Sequence, residues 1–77
     1  MMTPQEIDAL SPEVGHLMPF FAFSRLSELL QGVSRPFGEL AEHIARGPQN
    51  PETSVALRKL LEAKDAAVRA YLVTDRT

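Results

Sequence analysis

A five-residue break at residues 47–51, Gly-Pro-Gln-Asn-Pro, separates two long stretches of helical periodicity in this chain of 77 residues. Gly47 is the residue type that most often follows the last turn of a helix, and Asn50 followed by Pro51 is typical of the start of the next helix. A connection this short makes consecutive helices antiparallel neighbours. The break therefore predicts an antiparallel two-helix hairpin.

The stretch before the break, residues 26–45, places its apolar residues within about a third of the helix circumference. Pro36 lies inside it, where it removes one backbone hydrogen bond and clashes with the carbonyl of Gly32. The apolar phase continues unshifted past Pro36, which favours one helix kinked at Pro36. A second helix that starts at an N-cap Ser34 is the alternative. The apolar positions are Leu26, Leu29, Leu30, Val33, Phe37, Leu40, Ala41 and Ile44.

Lys64 lies in the middle of the apolar side of the second stretch, residues 54–73. An unpaired buried ammonium costs several kcal/mol, so its charge must meet an acid, reach water where subunits join, or bind an anion. Alternatively, the aliphatic stem packs while the amine extends into water. The apolar residues that share this side of the helix are Leu57, Leu60, Leu61, Ala67, Val68, Tyr71 and Leu72.

The N-terminal part begins with a helix start signal, with Thr3 as N-cap, Pro4 in the first turn and Glu6 placed to close a capping box. The helix must be short, because Ser-Pro-Glu at residues 11–13 repeats the signal. Residues 16–23, His-Leu-Met-Pro-Phe-Phe-Ala-Phe, carry five large apolar side chains without a helical period. They are interpreted as an extended or irregular aromatic arm.

The two helical stripes already face each other, so the arm's apolar residues need another surface. They either fold back over the open side of the hairpin or become buried against a second subunit, and assembly is the expected outcome for a small chain without cysteine. The predicted fold is all-α and one domain. It comprises a short helix plus apolar arm at residues 1–23, a helical hairpin at residues 24–77, and a homo-oligomeric assembly.

Composition removes several classes of function. A net charge of -2 without a basic run disfavours binding to a nucleic-acid polymer. No apolar stretch approaches the roughly 20 residues of a membrane span, and the N-terminus lacks a basic secretory signal, which predicts a cytoplasmic protein without a membrane partner. His16 and His43 lack the spacing of a metal pair. No nucleophile or phosphate loop is visible around Glu39, Glu42 and His43, so neither enzyme activity nor a cofactor is expected.

Aromatic and basic residues instead cluster around the start of the first long helix. Phe20, Phe21 and Phe23 are followed closely by Arg25, and then by Arg35 beside the predicted kink. Rings stack on bases and guanidinium groups fork phosphate oxygens, so the cluster predicts a site for a small nucleotide. An arm that serves only as core or interface is the alternative.

Three sequence blocks are similar to small proteins of actinobacterial phages and prophages: Val33-Ser34-Arg35-Pro36-Phe37, Glu39-Leu40-Ala41, and ALRKLLEAKDAAVRA at residues 56–70. The overall plan also resembles the phage anti-CBASS and anti-Thoeris hairpin family. That resemblance implies a non-catalytic sponge, whose oligomers sequester cyclic nucleotide immune signals in pockets between subunits. An aromatic residue before the first long helix and a basic residue on it form the pockets, which matches Phe23 and Arg35. Leu26 stands where the family tends to carry tyrosine.

The expected function is therefore sequestration of a cyclic oligonucleotide or related nucleotide second messenger, without turnover, in the cytoplasm of the infected host. The expected ligand contacts are Phe21, Phe23, Arg25, Arg35 and Lys64. One alternative is a protein–protein interaction module, such as a host-factor inhibitor or an antirepressor-like phage protein. A small virion assembly part is another.

Overall fold

Local capping signals place the first helices. The computed structural model describes residues 2–76, and the side chains of residues 2–73. Helix α1 (Pro4–Asp8) begins with the predicted capping box: the Thr3 hydroxyl accepts a hydrogen bond from the Glu6 amide, and the Glu6 carboxylate accepts one from the Thr3 amide, both at 3.2 Å. Helix α2 (Pro12–Gly15) begins at the repeated Ser-Pro-Glu signal.

A short helix takes up the middle of the aromatic arm, so the prediction of an extended or irregular arm is wrong for Met18–Phe21, whereas Ala22 and Phe23 have no regular secondary structure. A 3-10 helix spans Met18–Phe21, with Pro19 in its first turn, a position that proline tolerates because the first amides of a helix need no partner. Leu17, Met18 and Phe21 are buried in the core of the same chain, beside Leu57 of the last helix. These three side chains therefore fold back over the long helices, while Phe20 is 58% exposed.

Helix α3 (Glu28–Ala45) runs through Pro36 without interruption, as the unshifted apolar phase predicts. Its N-cap is Ser27, whose hydroxyl accepts a hydrogen bond from the Leu30 amide. The helix thus starts two residues later than Leu26. Ser34 lies in the helix interior, so the alternative of a separate second helix is wrong.

The most buried residues of α3 are small: Ser34, Gly38, Ala41 and Ala45. Their spacing of four, three and four residues forms one stripe along the helix. The larger apolar residues flank this stripe, and two of them, Leu29 and Leu40, are 46% and 47% exposed. Close packing along small side chains leaves part of the leucine-rich side in water.

Helix α4 (Pro51–Arg76) is longer than the predicted stretch of residues 54–73, and it packs against α3. The Asn50 side chain accepts a hydrogen bond from the Thr53 amide at 3.1 Å, so Asn50 is the predicted N-cap. The Gln49 side chain ties the connection to the N-terminal part, because its oxygen accepts a hydrogen bond from the Ser11 amide at 2.9 Å. Thr77, the last residue of the predicted hairpin, lies outside the described residues.

The N-terminal segment (residues 2–23) is also tied to the end of α3 by charge. The Met2 amide donates to Glu42 at 3.1 Å, and Arg46 forms an ion pair with Glu6 at 3.1 Å. The hydrogen bond from the Thr3 backbone and the Arg46 guanidinium together lower the pKa of Glu6 below its ordinary value. The segment therefore covers one side of the two long helices, which fixes where the aromatic residues lie. All elements in residues 2–76 are helical, which confirms the all-α prediction.

Candidate functional site

Phe23 and Arg35 come together, as the sequence predicts. Phe23 lies in the aromatic loop (residues 22–27), which joins the 3-10 helix to α3, and Arg35 lies two turns into α3. The guanidinium carbon of Arg35 stands 5.4 Å from the centroid of the Phe23 ring, within the distance of a cation–π contact. Arg35 is exposed and Phe23 is half-buried, so an aromatic face and a fork of hydrogen-bond donors meet at the surface.

Gly38 lets the aromatic loop approach α3 closely. A Cβ atom at this position would stand 3.1 Å from a carbon of the Phe23 ring and 3.2 Å from the backbone oxygen of Phe21. Real Cβ atoms rarely come so close to a neighbour. The absence of a side chain at Gly38 therefore sets the depth at which the Phe23 ring lies.

Gly38→Ala is expected to destabilise the protein and displace the Phe23 ring, while Gly32→Ala on the same helix is expected to stabilise it. Nothing lies within 4 Å of a Cβ atom built at Gly32, so that exchange brings only the helix preference for alanine, about 0.5–1 kcal/mol. Overpacking at Gly38 costs typically 1–3 kcal/mol. Urea unfolding of the two variants measures the difference, and equal shifts of the midpoint in the same direction would contradict the close contact.

Lys64 is half-buried and contacts the backbone of the 3-10 helix. Its side chain is 15% exposed, and its amine donates a hydrogen bond to the backbone oxygen of Phe20 at 3.0 Å. The amine also pairs with the neighbouring carboxylate of Asp65 at 3.1 Å. Of the alternatives open from the sequence, the charge thus meets an acid, Asp65, together with a backbone carbonyl of the 3-10 helix.

Phe21 and Arg25 occupy opposite environments. The Phe21 ring is 4% exposed and belongs to the hydrophobic core, so a base can stack on it only if the core opens. Arg25 is exposed on the aromatic loop, two residues after Phe23. Of the five residues predicted as ligand contacts, the structure thus brings Phe23 and Arg35 together at the surface, and Arg25 is exposed nearby in the sequence. Phe21 belongs to the core, and Lys64 contacts the backbone of Phe20.

The cavity next to this surface is too small for a nucleotide. It has a volume of about 70 Å³, whereas pockets for drug-sized ligands span roughly 300–1,000 Å³. Its walls include Met2, Met18, Phe21, Phe23, Gly38 and Glu42. A nucleotide at Phe23 would consequently lie on the surface of one chain and need a second surface to enclose it.

A wider and more open cleft of about 440 Å³ lies beside the connection between α3 and α4. No lysine or arginine lines it, and Glu52 places a carboxylate there, so it does not favour a phosphate group. Within residues 2–73, no three His, Cys, Asp or Glu side chains are grouped so that they could hold a metal ion. None of the helices in residues 2–76 combines the length and apolar character that crossing a membrane requires.

The contacts of Gln31 with the aromatic loop were not predicted from the sequence. Its side-chain amide donates hydrogen bonds to the backbone oxygens of Leu26 at 2.7 Å and Ser24 at 3.3 Å, and so holds the end of the aromatic loop. The acceptors are backbone carbonyls, which every residue has. A sequence pattern therefore cannot predict such a contact.

Comparisons of the chain with protein-family models, with curated proteins and with solved structures gave no match.

Proposed function

We propose that this protein is a non-catalytic binding protein that sequesters a cyclic oligonucleotide or a related nucleotide signal. The observation that carries the proposal is the juxtaposition of the Phe23 ring and the Arg35 guanidinium at the surface. The resemblance to the phage anti-CBASS and anti-Thoeris hairpin family implies the same function. On this proposal the protein acts in the cytoplasm of the infected host.

The energetics allow a base to take the place of Arg35 over the ring. A cation–π contact at an exposed site contributes about 0.5–1 kcal/mol, whereas stacking of a base on an aromatic ring contributes about 1–3 kcal/mol. The displaced guanidinium would then fork the phosphate that follows the base, and the exposed Arg25 of the aromatic loop is a candidate for a second contact. A nucleotide thus replaces a weak contact within the protein by two stronger contacts.

A second copy of the chain is the surface that would complete the site. The side of α3 that contacts the N-terminal segment carries Arg35, Gly38 and Glu42. At about 100° per residue, Leu29 and Leu40 lie roughly 160° around the helix from that side. We call this side of α3 the open face. It comprises Leu29, Val33 and Leu40, and Phe37 and Ile44 border it while packing partly against the core.

Helix α4 continues the open face. Ile44 of α3 and Ala56 of α4 line the same cleft, so both helices border this side. The short connection makes the two helices antiparallel neighbours. The residues of α4 that lie on the same side of the helix as Ala56 are also apolar. They are Leu60, Ala63, Ala67 and Tyr71, the last of which is 48% exposed.

The size of the open face fits self-association. Helix α3 has 18 residues, so the face is about 27 Å long and, across two helices, about 20 Å wide. A symmetric contact between two such faces would bury roughly 1,000 Å², which is near the area that a specific interface needs. Pairing of two hairpins through these faces gives a four-helix bundle, a common way for small helical chains to gain a core.

Leu40→Glu is expected to shift the protein toward monomer, because a carboxylate at the centre of the open face would lose its water on assembly. The matched control is Val55→Glu: Val55 is 45% exposed, like Leu40, but points about 100° away from Ala56 on α4. Sedimentation at micromolar concentration should give the wild type a mass at least twice the chain's 8.5 kDa. A monomeric wild type, or equal dissociation by the control, would rule out the open face as interface.

The proposed function is tested by calorimetry of the wild type against cyclic dinucleotides, cyclic trinucleotides and cyclic ADP-ribose isomers. Binding with a Kd below about 100 μM, a binding free energy of about -5.5 kcal/mol, is expected for at least one of them. Mass spectrometry of the recovered ligand should find it chemically unchanged. Failure of every compound to bind would overturn the proposal, and an altered ligand would show that the protein is an enzyme.

A protein–protein interaction module is the second candidate, and the open face also favours it. Large apolar patches rimmed by polar residues mark sites at which other proteins bind, as well as subunit interfaces. A wild type that sediments as a monomer and binds no nucleotide would support this candidate. A self-associating wild type that binds a nucleotide through Phe23 would exclude it as the main function.

A further inference from the structure

Side chains from the two long helices contact the backbone on either side of Phe23. The amine of Lys64 on α4 donates to the backbone oxygen of Phe20 at 3.0 Å, within the 3-10 helix that precedes the aromatic loop. At the end of the loop, the amide of Gln31 on α3 donates to the backbone oxygens of Leu26 and Ser24 at 2.7 Å and 3.3 Å. Phe23 lies between these two attachments.

The contact from Lys64 satisfies a group that the local backbone leaves open. The last carbonyls of a helix have no partner within it, and Phe20 lies in the last turn of the short 3-10 helix. The side chain of Lys64 is only 15% exposed, and its amine is directed at this carbonyl and at the carboxylate of Asp65.

Gly38 and Arg35 also restrict the position of the Phe23 ring. Gly38 leaves the ring of Phe23 in close contact with α3, and Arg35 stands over the ring at 5.4 Å. The loop itself has no regular secondary structure. Without its attachments, the ring would sample several positions, and a ligand would have to order it at an entropic cost.

We propose that Lys64 and Gln31 are positioning residues that preorganise Phe23 opposite Arg35 for ligand binding. The inference rests on the function proposed above, and it assigns Lys64 a role through the loop instead of a direct contact with phosphate. Methionine at position 64 would fill the apolar stripe, and Asp65 is about half exposed, so Lys64→Met should keep the fold while it releases the loop.

The test combines three measurements on Lys64→Met, Lys64→Arg and Gln31→Glu. Nuclear magnetic resonance of the ligand-free protein records the upfield shift that the Phe23 ring imposes on the side-chain protons of Arg35. Calorimetry measures affinity for the cyclic nucleotide that the wild type binds most tightly, and thermal unfolding reports stability. Lys59→Met and Gln5→Glu are the matched controls, since Lys59 is 74% exposed and Gln5 is also exposed.

Lys64→Met and Gln31→Glu are expected to move the Arg35 shifts toward those of a free arginine and to weaken binding about tenfold, with little change in unfolding temperature. The Lys64→Arg variant should retain most of the wild-type Arg35 shifts and most of the affinity, because a guanidinium can also donate a hydrogen bond to the Phe20 carbonyl. Unchanged Arg35 shifts in both variants would overturn the inference. If Lys64→Met fails to fold, Gln31→Glu decides. A wild type that binds no cyclic nucleotide refutes the proposed function, while the ligand-free shifts still decide whether these residues position the ring.

Discussion

Phe21→Ala is expected to destabilise the protein by about 3–5 kcal/mol, the cost typical of truncating a buried phenylalanine. The Phe21 ring is 4% exposed and packs in the cluster that joins Met18 and Val14 to Ala41 of α3 and Leu57 of α4. Its removal would leave a cavity where the N-terminal segment meets both long helices. Small domains have a total stability of about 5–15 kcal/mol, so urea unfolding should show a large loss.

Phe20→Ala is the matched control, because the same atoms are removed one residue away. The Phe20 side chain is 58% exposed, so its truncation is expected to change the free energy of unfolding by no more than about 0.5 kcal/mol. The backbone oxygen of Phe20, which accepts the hydrogen bond from Lys64, stays in place. Similar losses in the two variants would show that the 3-10 helix does not place Phe21 inward and Phe20 outward.

Sequence reasoning succeeded where the signals are local. The capping box of Thr3 and Glu6 and the N-cap at Asn50 each involve residues within one turn, and the structure forms both. The continuity of α3 through Pro36 followed from a repeat that spans the whole helix. Caps and helical repeats both arise from residues a few positions apart in the chain, so they can be recognised in the sequence.

The 3-10 helix in the aromatic arm was not predicted, because its conformation depends on packing against the two long helices, which are distant in the sequence. Residues 16–23 have no helical period of their own, and a 3-10 helix of four residues is too short to show one. Leu17, Met18 and Phe21 become buried because they cover one side of the two long helices. The covered side of α3 is marked by the small residues Ser34, Gly38, Ala41 and Ala45, whereas hydropathy alone points to the side with the larger leucines.

The candidate site was predictable in part. The residue types of Phe23 and Arg35 pointed to nucleotide chemistry, and the structure brings the two together. Gly38 and Gln31 were not predictable, since one acts through the absence of a side chain and the other through bonds to backbone carbonyls. Lys64 was conspicuous in the sequence, but its partner lies 44 residues away in the chain.

Phe23→Ala and Arg35→Ala are expected to weaken nucleotide binding by roughly tenfold to a hundredfold each while the protein stays folded. Stacking on one ring is worth about 1–3 kcal/mol and a charge-assisted contact to phosphate is comparable, at about 1.4 kcal/mol per decade of affinity. Arg35→Lys should restore only part of the loss, because an ammonium group cannot make the bidentate contact. Phe23 is half-buried, so its truncation should cost less stability than that of Phe21.

The matched controls separate the site from general effects of charge and ring removal. Arg58→Ala removes an exposed arginine on α4, and Phe20→Ala removes an exposed ring before the aromatic loop. Calorimetry should find both close to the wild type. Because Phe23 and Arg35 contact each other, their double variant should lose less than the two single losses combined. Losses as large in the controls, or no loss in Phe23→Ala, would place the nucleotide elsewhere on the protein.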